Sequence, residues 1–238
     1  MKRRLDQAVV ARGLVSTRSQ AESYIKLGDV QVNGAVVTKP GHMVGDEHKI
    51  VLTAGEQYVS RAALKLASVA DVLNIDFTNK TVLDVGSSTG GFTEFALKHG
   101  AQKVIAVEVG TDQLHPRLRG HPGIELHEQT DIREFKTDQQ IDIVVADVSF
   151  ISLREILPSV AKLSSAQTNI VAMVKPQFEA GQSSLKHKGV IKNDKMRRDI
   201  LKDFETWARQ YFMIADKADS QVAGSKGNLE RFYLLKKL

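Results

Sequence analysis

From residue 81 onward, short apolar runs rich in valine and isoleucine alternate with longer segments of mixed polarity. Such runs are typical of strands buried on both faces of a parallel sheet, and the segments between them have the length of helices. The pattern therefore predicts an α/β fold with a doubly wound, mostly parallel sheet and helices on both faces. The predicted strands are "TVLDV", "KVIAVEV", "GIELH", "IDIVVADV" and "NIVAMVK", then, after a basic helix ("DKMRRDILKDFETWARQ"), "FMIADKA" and "LERFYLLKK".

The first 52 residues follow a different pattern, which predicts a small α+β unit of two helices and a small sheet. Apolar residues recur at helical spacing near the N-terminus, and "STRSQAESYIKLG" indicates a second helix, capped by Ser16 or Thr17 and ended by Gly28. In "VQVNGAVV" the pair Asn33-Gly34 is a hairpin signal, and "HKIVL" predicts a last strand. The two apolar helix faces consist of Leu5, Ala8 and Val9, and of Ala21, Tyr24 and Ile25.

The change of pattern indicates two domains. The stretch "TAGEQYVS" has the character of a connector, and a helix is expected from about Arg61 to Leu73. We therefore expect a small domain over residues 1–53, a linker over residues 54–60 and a larger domain over residues 61–238.

Composition excludes several classes of protein. The chain has no cysteine, so disulfides and thiolate metal sites are excluded, and we expect no metal. No apolar run approaches the roughly 18 residues that span a bilayer, and "MKRRLDQAVV" lacks the apolar stretch of a signal peptide. The expectation is a soluble cytoplasmic protein without stable membrane association. The sequence gives no indication of its oligomeric state.

The net charge of +5 is spread unevenly along the chain. Residues 1–55 hold eight basic and five acidic residues, residues 56–185 hold 12 and 16, and residues 186–238 hold 13 and seven. The two basic ends suit a polyanionic partner such as nucleic acid. Solvated lysine-rich faces are the alternative.

The segment "LDVGSSTGGF" (residues 83–92) indicates a nucleotide-cofactor site, because a short apolar strand passes through an aspartate into a glycine-rich turn. Gly86 allows a sharp turn, and Gly90 and Gly91 would let the backbone approach a ligand closely. A dinucleotide site is disfavoured because Ser88 stands where G-x-G-x-x-G needs its second glycine, and the chain has no G-x-x-x-x-G-K-[ST] phosphate loop. A glycine-rich connection without a ligand is the alternative.

The spacing of acidic residues fits S-adenosylmethionine. Glu108 follows Asp84 by 24 residues, close to the roughly 20-residue spacing of a ribose-binding acid. The carboxylate of Glu108 can accept hydrogen bonds from both ribose hydroxyls. Asp84 suits the ammonium group of the methionine end, and Asp131 is placed to meet the adenine amino group. The expected cofactor residues are Asp84, Gly86, Ser88, Thr89, Gly90, Gly91, Phe92, Glu108, Asp131 and Asp147.

Two charged residues follow neighbouring strands of the predicted sheet. Asp147 closes "IDIVVADV" and Lys175 closes "NIVAMVK". A buried ammonium group is costly unless it is paired, and Asp147 is a plausible partner. From the pattern alone, either residue is more often a member of a structural ion pair than a catalytic group.

Several motifs resemble the TlyA-type family of ribosomal RNA 2′-O-methyltransferases, historically filed as haemolysin-like proteins. They are "YVSRAALKL", "LDVGSSTGGFTEFAL", "ADVSFISL", "VKPQFEAG" and "GNLERF", and the first 52 residues resemble an S-four (S4) type RNA-binding domain. The family often has a glycine pair where "SRAALKL" has alanines, which leaves Lys65 in place. The resemblance implies a Rossmann-like, FtsJ-like methyltransferase fold that uses S-adenosylmethionine, and a Lys-Asp-Lys-Glu tetrad that falls on Lys65, Asp147, Lys175 and Glu230.

The implied tetrad suggests a mechanism in which Lys175 accepts the proton of a ribose 2′-hydroxyl. A lysine serves as a base only when its pKa falls from about 10.4 toward neutrality, which desolvation and nearby positive charge promote. Lys65 and Glu230 would hold the ribose and the lysine, and Asp147 would orient Lys175. Without the resemblance, Lys65 is a solvent-facing helix residue and Glu230 an edge-strand charge.

The expected partner is ribosomal RNA or a ribosomal subunit. The N-terminal unit has basic side chains but few aromatic ones, which favours contacts to phosphates and RNA shape over base stacking. The basic segment from Lys186 to Arg198 could add phosphate contacts. Two alternatives remain open: a binding module with an inactive methyltransferase fold, and a membrane-active haemolysin. The expected RNA-binding residues are Arg3, Arg4, Arg12, Arg18, Lys26 and Lys39.

Overall fold

The computed structural model describes residues 2–15, 17–54, 58–180, 190–191, 193–224 and 227–238. Two helices and short strands come first, and a large sheet with its helices follows. The elements before the connector are β1 (Arg3–Arg4), α1 (Leu5–Ala11), α2 (Arg18–Leu27), β2 (Val30–Val32), β3 (Ala35–Val36), β4 (Met43–Val44) and β5 (Ile50–Leu52). We call residues 3–52, which contain these elements, the N-terminal unit.

Helix α2 begins and ends at the capping residues that the sequence indicates. The Thr17 hydroxyl accepts a hydrogen bond from the Gln20 amide, and the Gln20 side chain accepts one from the Thr17 amide, both at 3.2 Å. The helix stops at Gly28, whose φ of 86° lies in the left-handed region that glycine adopts without steric cost. The prediction of Thr17 as the cap is confirmed, and the other candidate, Ser16, lies outside the described residues.

The N-terminal unit contains two small antiparallel sheets. Asn33 and Gly34 have φ values of 51° and 84°, as a type I′ turn requires, and they join β2 to β3 as predicted. Strand β5 pairs with the other side of β2. Strands β1 and β4 pair separately, with Arg3 opposite Val44. The sequence did not indicate this second sheet, because strands of two residues have no measurable periodicity.

The rest of the chain forms a seven-stranded sheet in the order β11–β12–β10–β9–β6–β7–β8. Strands β6 to β10 run parallel to one another, and β12 is antiparallel to both of its neighbours, β10 and β11. All seven predicted strands are present, and the fold class is confirmed. The elements are α3 (Arg61–Ala70), β6 (Thr81–Val85), α4 (Gly91–Lys98), β7 (Lys103–Val107), β8 (Ile124–His127), β9 (Ile143–Ala146), α5 (Leu153–Leu163), β10 (Asn169–Val174), α6 (Pro176–Glu179), α7 (Asp194–Ala208), β11 (Phe212–Asp219) and β12 (Arg231–Lys237).

The connections on either side of β8 contain no helix, although the sequence pattern suggested one in each. Pro116, Gly120 and Pro122 interrupt the first of these connections, and proline and glycine both disfavour helix interiors. Leu114 and Leu118 are nevertheless buried there. Turns, rather than helices, therefore connect β8 to the strands before and after it at this edge of the sheet.

The central strands bury their two faces in different hydrophobic clusters. Alternate residues point to opposite faces, as in any strand. Val82 and Val104 pack with apolar residues of α3 and α4, whereas Leu83 and Ile105 pack with those of α5 and α7. The apolar residues of the N-terminal unit belong to the same cluster as α3 and α4. The N-terminal unit therefore lies on the side of the large sheet that α3 and α4 cover.

The end of the connector is held from both sides. The Tyr58 amide donates to the Tyr24 hydroxyl at 3.4 Å, and the Gln20 side chain donates to the Tyr58 carbonyl at 3.3 Å. From the other side, Glu94 of α4 accepts a hydrogen bond from the Val59 amide at 2.6 Å. These contacts fix α2 beside the start of α3.

Strand order reverses between β6 and β9. The chain adds β7 and β8 on one side of β6, and then returns to add β9 and β10 on the other. Ligands of open α/β sheets bind beyond the carboxyl ends of the strands at such a point. Asp147 directly follows β9, and its amide donates to the Val85 carbonyl of β6 at 3.1 Å. The fold therefore brings two of the predicted site segments together.

The N-cap of α2 generates a stability prediction. Thr17→Ala removes the acceptor for the Gln20 amide, so we expect the free energy of unfolding to fall by about 1 kcal/mol. Urea unfolding of the full chain measures this loss. Thr38→Ala is the matched control, because Thr38 is exposed and outside any helix, and it should change stability by less than about 0.5 kcal/mol. Equal losses in both variants would contradict the capping role.

Candidate active site

Two adjoining cavities open at the carboxyl ends of β6 and β9. The first has a volume of about 390 Å³ and extends to α2 and the start of α3, and the second has a volume of about 540 Å³. Charged residues line both: Arg61, Lys65, Asp84, Asp147 and Lys175 in the first cavity, and Glu108, Asp131, Arg133 and Asp147 in the second. The residues common to both cavities are Gly86, Ser88, Asp147 and Ser149.

The glycine-rich turn lies between these cavities, but its glycines have different roles. Gly86 has a φ of 79°, and a Cβ atom there would lie 3.0 Å from the Asp147 carbonyl oxygen, so a side chain is excluded. At Gly91 a Cβ atom would collide with the Ser60 hydroxyl, and at Gly90 with leucine side chains. These contacts require glycine at both positions without a ligand, and the expected close approach of the Gly90 and Gly91 backbone to a ligand stays a prediction.

Asp84 is a buried carboxylate with a single side-chain partner among the described residues. The Thr93 hydroxyl donates to its Oδ2 atom at 2.6 Å. Burial raises the pKa of Asp84 to about 7, and the negative charges of Asp147 and Glu108 act in the same direction. A cation placed next to this carboxylate would favour its ionised form.

Three buried polar atoms of the first cavity have neither a hydrogen-bond partner nor an ion-pair partner within the described part of the chain. They are Ser60 Oγ, Asp84 Oδ1 and Ser87 Oγ. Buried polar atoms are normally hydrogen-bonded, so this group points to a polar ligand. The methionine end of S-adenosylmethionine carries an ammonium group, which can donate to Asp84, and a carboxylate, which can accept from serine hydroxyls. The residues present therefore fit this cofactor.

The two acidic residues of the second cavity differ in how far they are already engaged. Glu108 accepts backbone hydrogen bonds from Ser88 at 2.9 Å and from Gly110 at 2.8 Å, which leaves one lone pair on each oxygen. Asp131 accepts four hydrogen bonds from Arg133, and these hold the pKa of Asp131 below its usual range. Glu108 is thus free to bind two hydroxyl groups, whereas Asp131 must share its oxygens with Arg133.

Two ion pairs bring the four tetrad candidates together. Lys175 Nζ lies 2.5 Å from Asp147 Oδ1 and donates to the Ser149 hydroxyl at 2.7 Å. Lys65 Nζ, from α3, lies 2.5 Å from Glu230 Oε2, just before β12. All four side chains are largely buried, and both lysines line the first cavity. Residues that are far apart in sequence therefore meet at one place.

Phe150 stands out at the mouth of the second cavity. Its side chain is 91% exposed, although it is large and apolar, and its φ of 67° lies in the left-handed region. A bulky residue in this conformation costs about 1–3 kcal/mol, which is usual only where function requires it. The Phe178 ring lies 5.4 Å away. The loop after β9 thus presents an aromatic face at the mouth of the second cavity, and Lys175 Nζ lies 5.8 Å from the centroid of the intervening Phe178 ring.

The basic residues of the N-terminal unit divide into engaged and free groups. Arg4 and Arg18 both bind the buried carboxylate of Asp6, and Arg12 donates to three backbone carbonyls. Arg3 lies 3.6 Å from Asp46. Lys26 and Lys39 are exposed and form no ion pair with any described residue. Of the basic segment from Lys186 to Arg198, residues 186–189 and 192 lie outside the described residues.

Sequence reasoning missed several residues of the site. Ser60, Ser87, Thr93 and Ser149 are small polar residues without a distinctive pattern, and their role depends on which way a side chain points. Phe150 gave a weak signal, because "ADVSFISL" places an aromatic residue where the chain leaves a buried strand.

Comparisons with known proteins agree with this geometry. Residues 58–237 match the family of FtsJ-like methyltransferases, and residues 3–50 match the S4 domain. "Hemolysin A" of Brachyspira hyodysenteriae is 38% identical, over 95% of this chain and 97% of that protein. The "16S/23S rRNA (cytidine-2′-O)-methyltransferase TlyA" of Mycobacterium tuberculosis is 36% identical, over 98% of this chain and 89% of that protein. A solved structure described as a hemolysin from Streptococcus thermophilus has a TM-score of 0.72 and 34% identity, and covers 99% of this chain and 88% of that one.

The contact between Thr93 and Asp84 generates a prediction about pH. Thr93→Val leaves the buried carboxylate without its side-chain donor, so stability should fall by about 1–3 kcal/mol once Asp84 is ionised. The pKa of about 7 in the folded protein means that the group is ionised only above neutral pH. The loss, measured by urea unfolding, should therefore be larger at pH 9 than at pH 6.

Thr168→Val is the matched control for this prediction. Thr168 is equally buried, but its hydroxyl donates to a backbone carbonyl, that of Ile141, at 2.7 Å. A carbonyl does not titrate, so this variant should lose the same stability at both pH values. A loss for Thr93→Val that does not depend on pH would contradict the assignment.

Proposed function

The chain belongs to the family of FtsJ-like methyltransferases, and we propose that it transfers a methyl group from S-adenosylmethionine to a ribose 2′-hydroxyl of ribosomal RNA. The observation that carries this proposal is that the two cavities meet at Asp147, which pairs with Lys175. A methyl donor bound where the two cavities meet would therefore lie next to Lys175, which can take part in proton transfer. The name of the mycobacterial relative supports the choice of acceptor.

The cofactor would be held by both cavities. In the first, Asp84, Ser60 and Ser87 would bind the ammonium and carboxylate of the methionine end. In the second, Glu108 would bind the ribose hydroxyls, and Asp131 would lie near the adenine. When bound, S-adenosylmethionine supplies an electrophilic methyl group on a positively charged sulfur.

The residues of the tetrad would have distinct tasks. Lys175, as the neutral amine, would accept the 2′-hydroxyl proton while the ribose oxygen forms its new bond to the methyl carbon; the bond from that carbon to sulfur would break, and its electron pair would stay on the sulfur as a neutral thioether. Asp147 and Ser149 would hold Lys175 Nζ in place, since both contact it in the free protein. Lys65 and Glu230 would bind the ribose from the opposite side. Much of the rate would come from holding oxygen, carbon and sulfur in line.

The target nucleotide would have to leave its stack to reach Lys175. Enzymes that act on a nucleotide inside folded nucleic acid commonly extrude it and stack its base on an aromatic side chain. The exposed ring of Phe150 lies beside the crevice and offers such a face. The base would then lie outside the crevice, against Phe150, and the ribose would lie inside it.

The N-terminal unit would supply affinity for structured RNA. We propose that residues 1–53 form an RNA-binding domain joined by residues 54–60 to a methyltransferase domain over residues 61–238. Lys26 and Lys39 have free charges for phosphate contacts, and Arg3, Arg4 and Arg18 can use the donors that their carboxylate partners leave unbound. Arg12 would contribute least, because its guanidinium already serves three carbonyls.

The names of two relatives raise a second candidate function, membrane lysis. Among the described residues, no helix has both the length and the apolar character needed to cross a membrane. Release of a dye from lipid vesicles by the pure protein would favour this function over ours. Binding of S-adenosylmethionine without transfer to any ribosomal subunit would favour the other alternative, an inactive binding module.

Replacing Lys175 tests the proposed mechanism. Lys175→Ala removes the base, so methyl transfer to ribosomal subunits should fall at least about 100-fold. Since Lys175 does not serve the methionine end or the ribose of the cofactor, the Kd for S-adenosylmethionine should change less than about threefold, which is under 1 kcal/mol. Tritium transfer and titration calorimetry measure the two quantities.

Lys162→Ala is the control, because Lys162 is an exposed lysine in the last turn of α5, and it should leave both quantities unchanged. Turnover of Lys175→Ala at the wild-type rate would refute the role of Lys175.

The raised pKa of Asp84 predicts a pH-dependent affinity for the cofactor. Below the pKa of about 7 the carboxyl group is protonated and loses its attraction for an ammonium group. The Kd for S-adenosylmethionine should therefore rise by up to about tenfold per pH unit as pH falls below 7. Calorimetry between pH 5.5 and 8.5 measures this, and Asp84→Asn should bind more weakly with a flatter profile. The same Kd at pH 6 and pH 8 in the wild type would contradict the assignment.

A further inference from the structure

Glu179 is a buried carboxylate that the proposed mechanism does not use. It is the last residue of α6, and its side chain is only 1% exposed. One oxygen accepts a hydrogen bond from the Leu153 amide at 2.7 Å, and the other accepts one from the Ser152 hydroxyl at 2.6 Å. Arg154 Nε lies 3.5 Å away. Glu179 therefore binds the first residues of α5, a helix from another part of the chain.

The partners of Glu179 belong to the loop that carries Asp147. We call residues 147–152, between β9 and α5, the acidic loop, and residues 175–179, which start at the base candidate, the lysine segment. These two segments touch along their length, in chain order. The contacts are Lys175 with Asp147 and Ser149, Phe178 with Phe150, and Glu179 with Ser152 and Leu153.

The acidic loop needs to be held at both ends. At its start, the Asp147 amide is bound to β6 through the Val85 carbonyl. Within it, Phe150 has a left-handed backbone that persists only when the surroundings impose it. At its far end, the carboxylate of Glu179 binds the N-terminus of α5, where the helix dipole favours a negative charge. Glu179 thus fixes the end of the loop that the sheet does not reach.

We propose that Glu179 is a positioning residue for methyl transfer, whose carboxylate locks the acidic loop against the lysine segment. The lock keeps Asp147 and Ser149 on Lys175 Nζ and keeps the ring of Phe150 at the cavity mouth. Glu179 itself is not among the described residues that line the two cavities, so it acts through these residues and touches no reacting atom. This inference rests on the proposed function.

The test compares three variants of the full chain. Glu179→Ala removes the lock. Glu179→Gln keeps most of it, because an amide oxygen can accept from the Leu153 amide while the amide nitrogen donates to the Ser152 hydroxyl. Glu205→Ala is the matched control: Glu205 is as buried as Glu179, but it binds Lys217 and Tyr233 away from the crevice. Each is assayed with tritiated S-adenosylmethionine and unmethylated ribosomal subunits.

The expected result is a loss of kcat without a loss of binding. Since a displacement of about 1 Å in an active site costs about 100-fold in rate, kcat of Glu179→Ala should fall by about 30- to 100-fold. KM for the subunits and Kd for the cofactor should change less than about threefold. Glu179→Gln should recover kcat to within about fivefold of the wild type, and Glu205→Ala should keep it within about twofold. Wild-type kcat in Glu179→Ala, or an equal loss in Glu205→Ala, would overturn the inference.

Amide hydrogen exchange of residues 147–153 gives a readout that needs no activity. Exchange there should be faster in Glu179→Ala and unchanged in Glu205→Ala, because exchange reports local opening. Unchanged exchange in Glu179→Ala would overturn the lock even if activity fell.

A wild type that transfers no methyl group would overturn the proposed function, and faster exchange in Glu179→Ala would then still support the lock. If Glu179→Ala does not fold, Ser152→Ala is tested in its place, because it removes one of the two hydrogen bonds to Glu179. It should lower kcat and speed up exchange in the same way, but by less. Wild-type kcat and wild-type exchange in Ser152→Ala would overturn the lock.

Discussion

The contact between Lys175 and Asp147 joins the carboxyl ends of two neighbouring parallel strands, and the geometry of the whole crevice depends on it. Asp147 lines both cavities, so its position sets where the two cavities meet. The second pair, Lys65 with Glu230, brings α3 and the start of β12 to the same place. The site is therefore a product of the sheet topology, which places the end of β9 between those of β6 and β10.

The crevice holds several charges that a folded protein would normally keep in water. Burying a charge is costly, and each of these is compensated by a partner: Asp84 by Thr93, Glu179 by the N-terminus of α5, and each lysine by a carboxylate. The exceptions are the unpartnered atoms Ser60 Oγ, Ser87 Oγ and Asp84 Oδ1. Perturbed and unpartnered groups of this kind cluster at functional sites, because a ligand completes their interactions. Leaving these buried polar atoms without partners costs folding stability, and a charged cofactor would supply the missing partners.

The sequence allowed the strands, the N-terminal helices and the meeting of Asp147 with Lys175 to be predicted, because hydrophobic periodicity and strand ends are local signals. The helix-free connections around β8 were not predicted, because the length of these segments suggested helices. In the first of them, Pro116 and Gly120 disfavour a helix. The close contact of Gly91 with Ser60 of the connector was not predicted, because it is a tertiary contact. Glu179 and Ser149 lie within two of the motifs that carry the family resemblance, but their individual roles were not predicted, because these roles depend on contacts across 27 and 26 residues of chain.

The central claim is that the methyl acceptor is a ribose oxygen. The most direct test is to label unmethylated ribosomal subunits with methyl-tritiated S-adenosylmethionine and the pure protein, digest the RNA to nucleosides and locate the methyl group by mass spectrometry. We expect a 2′-O-methylated nucleoside in the RNA treated with the wild type, and none in the RNA treated with Lys175→Ala. Methyl groups found only on bases would contradict it.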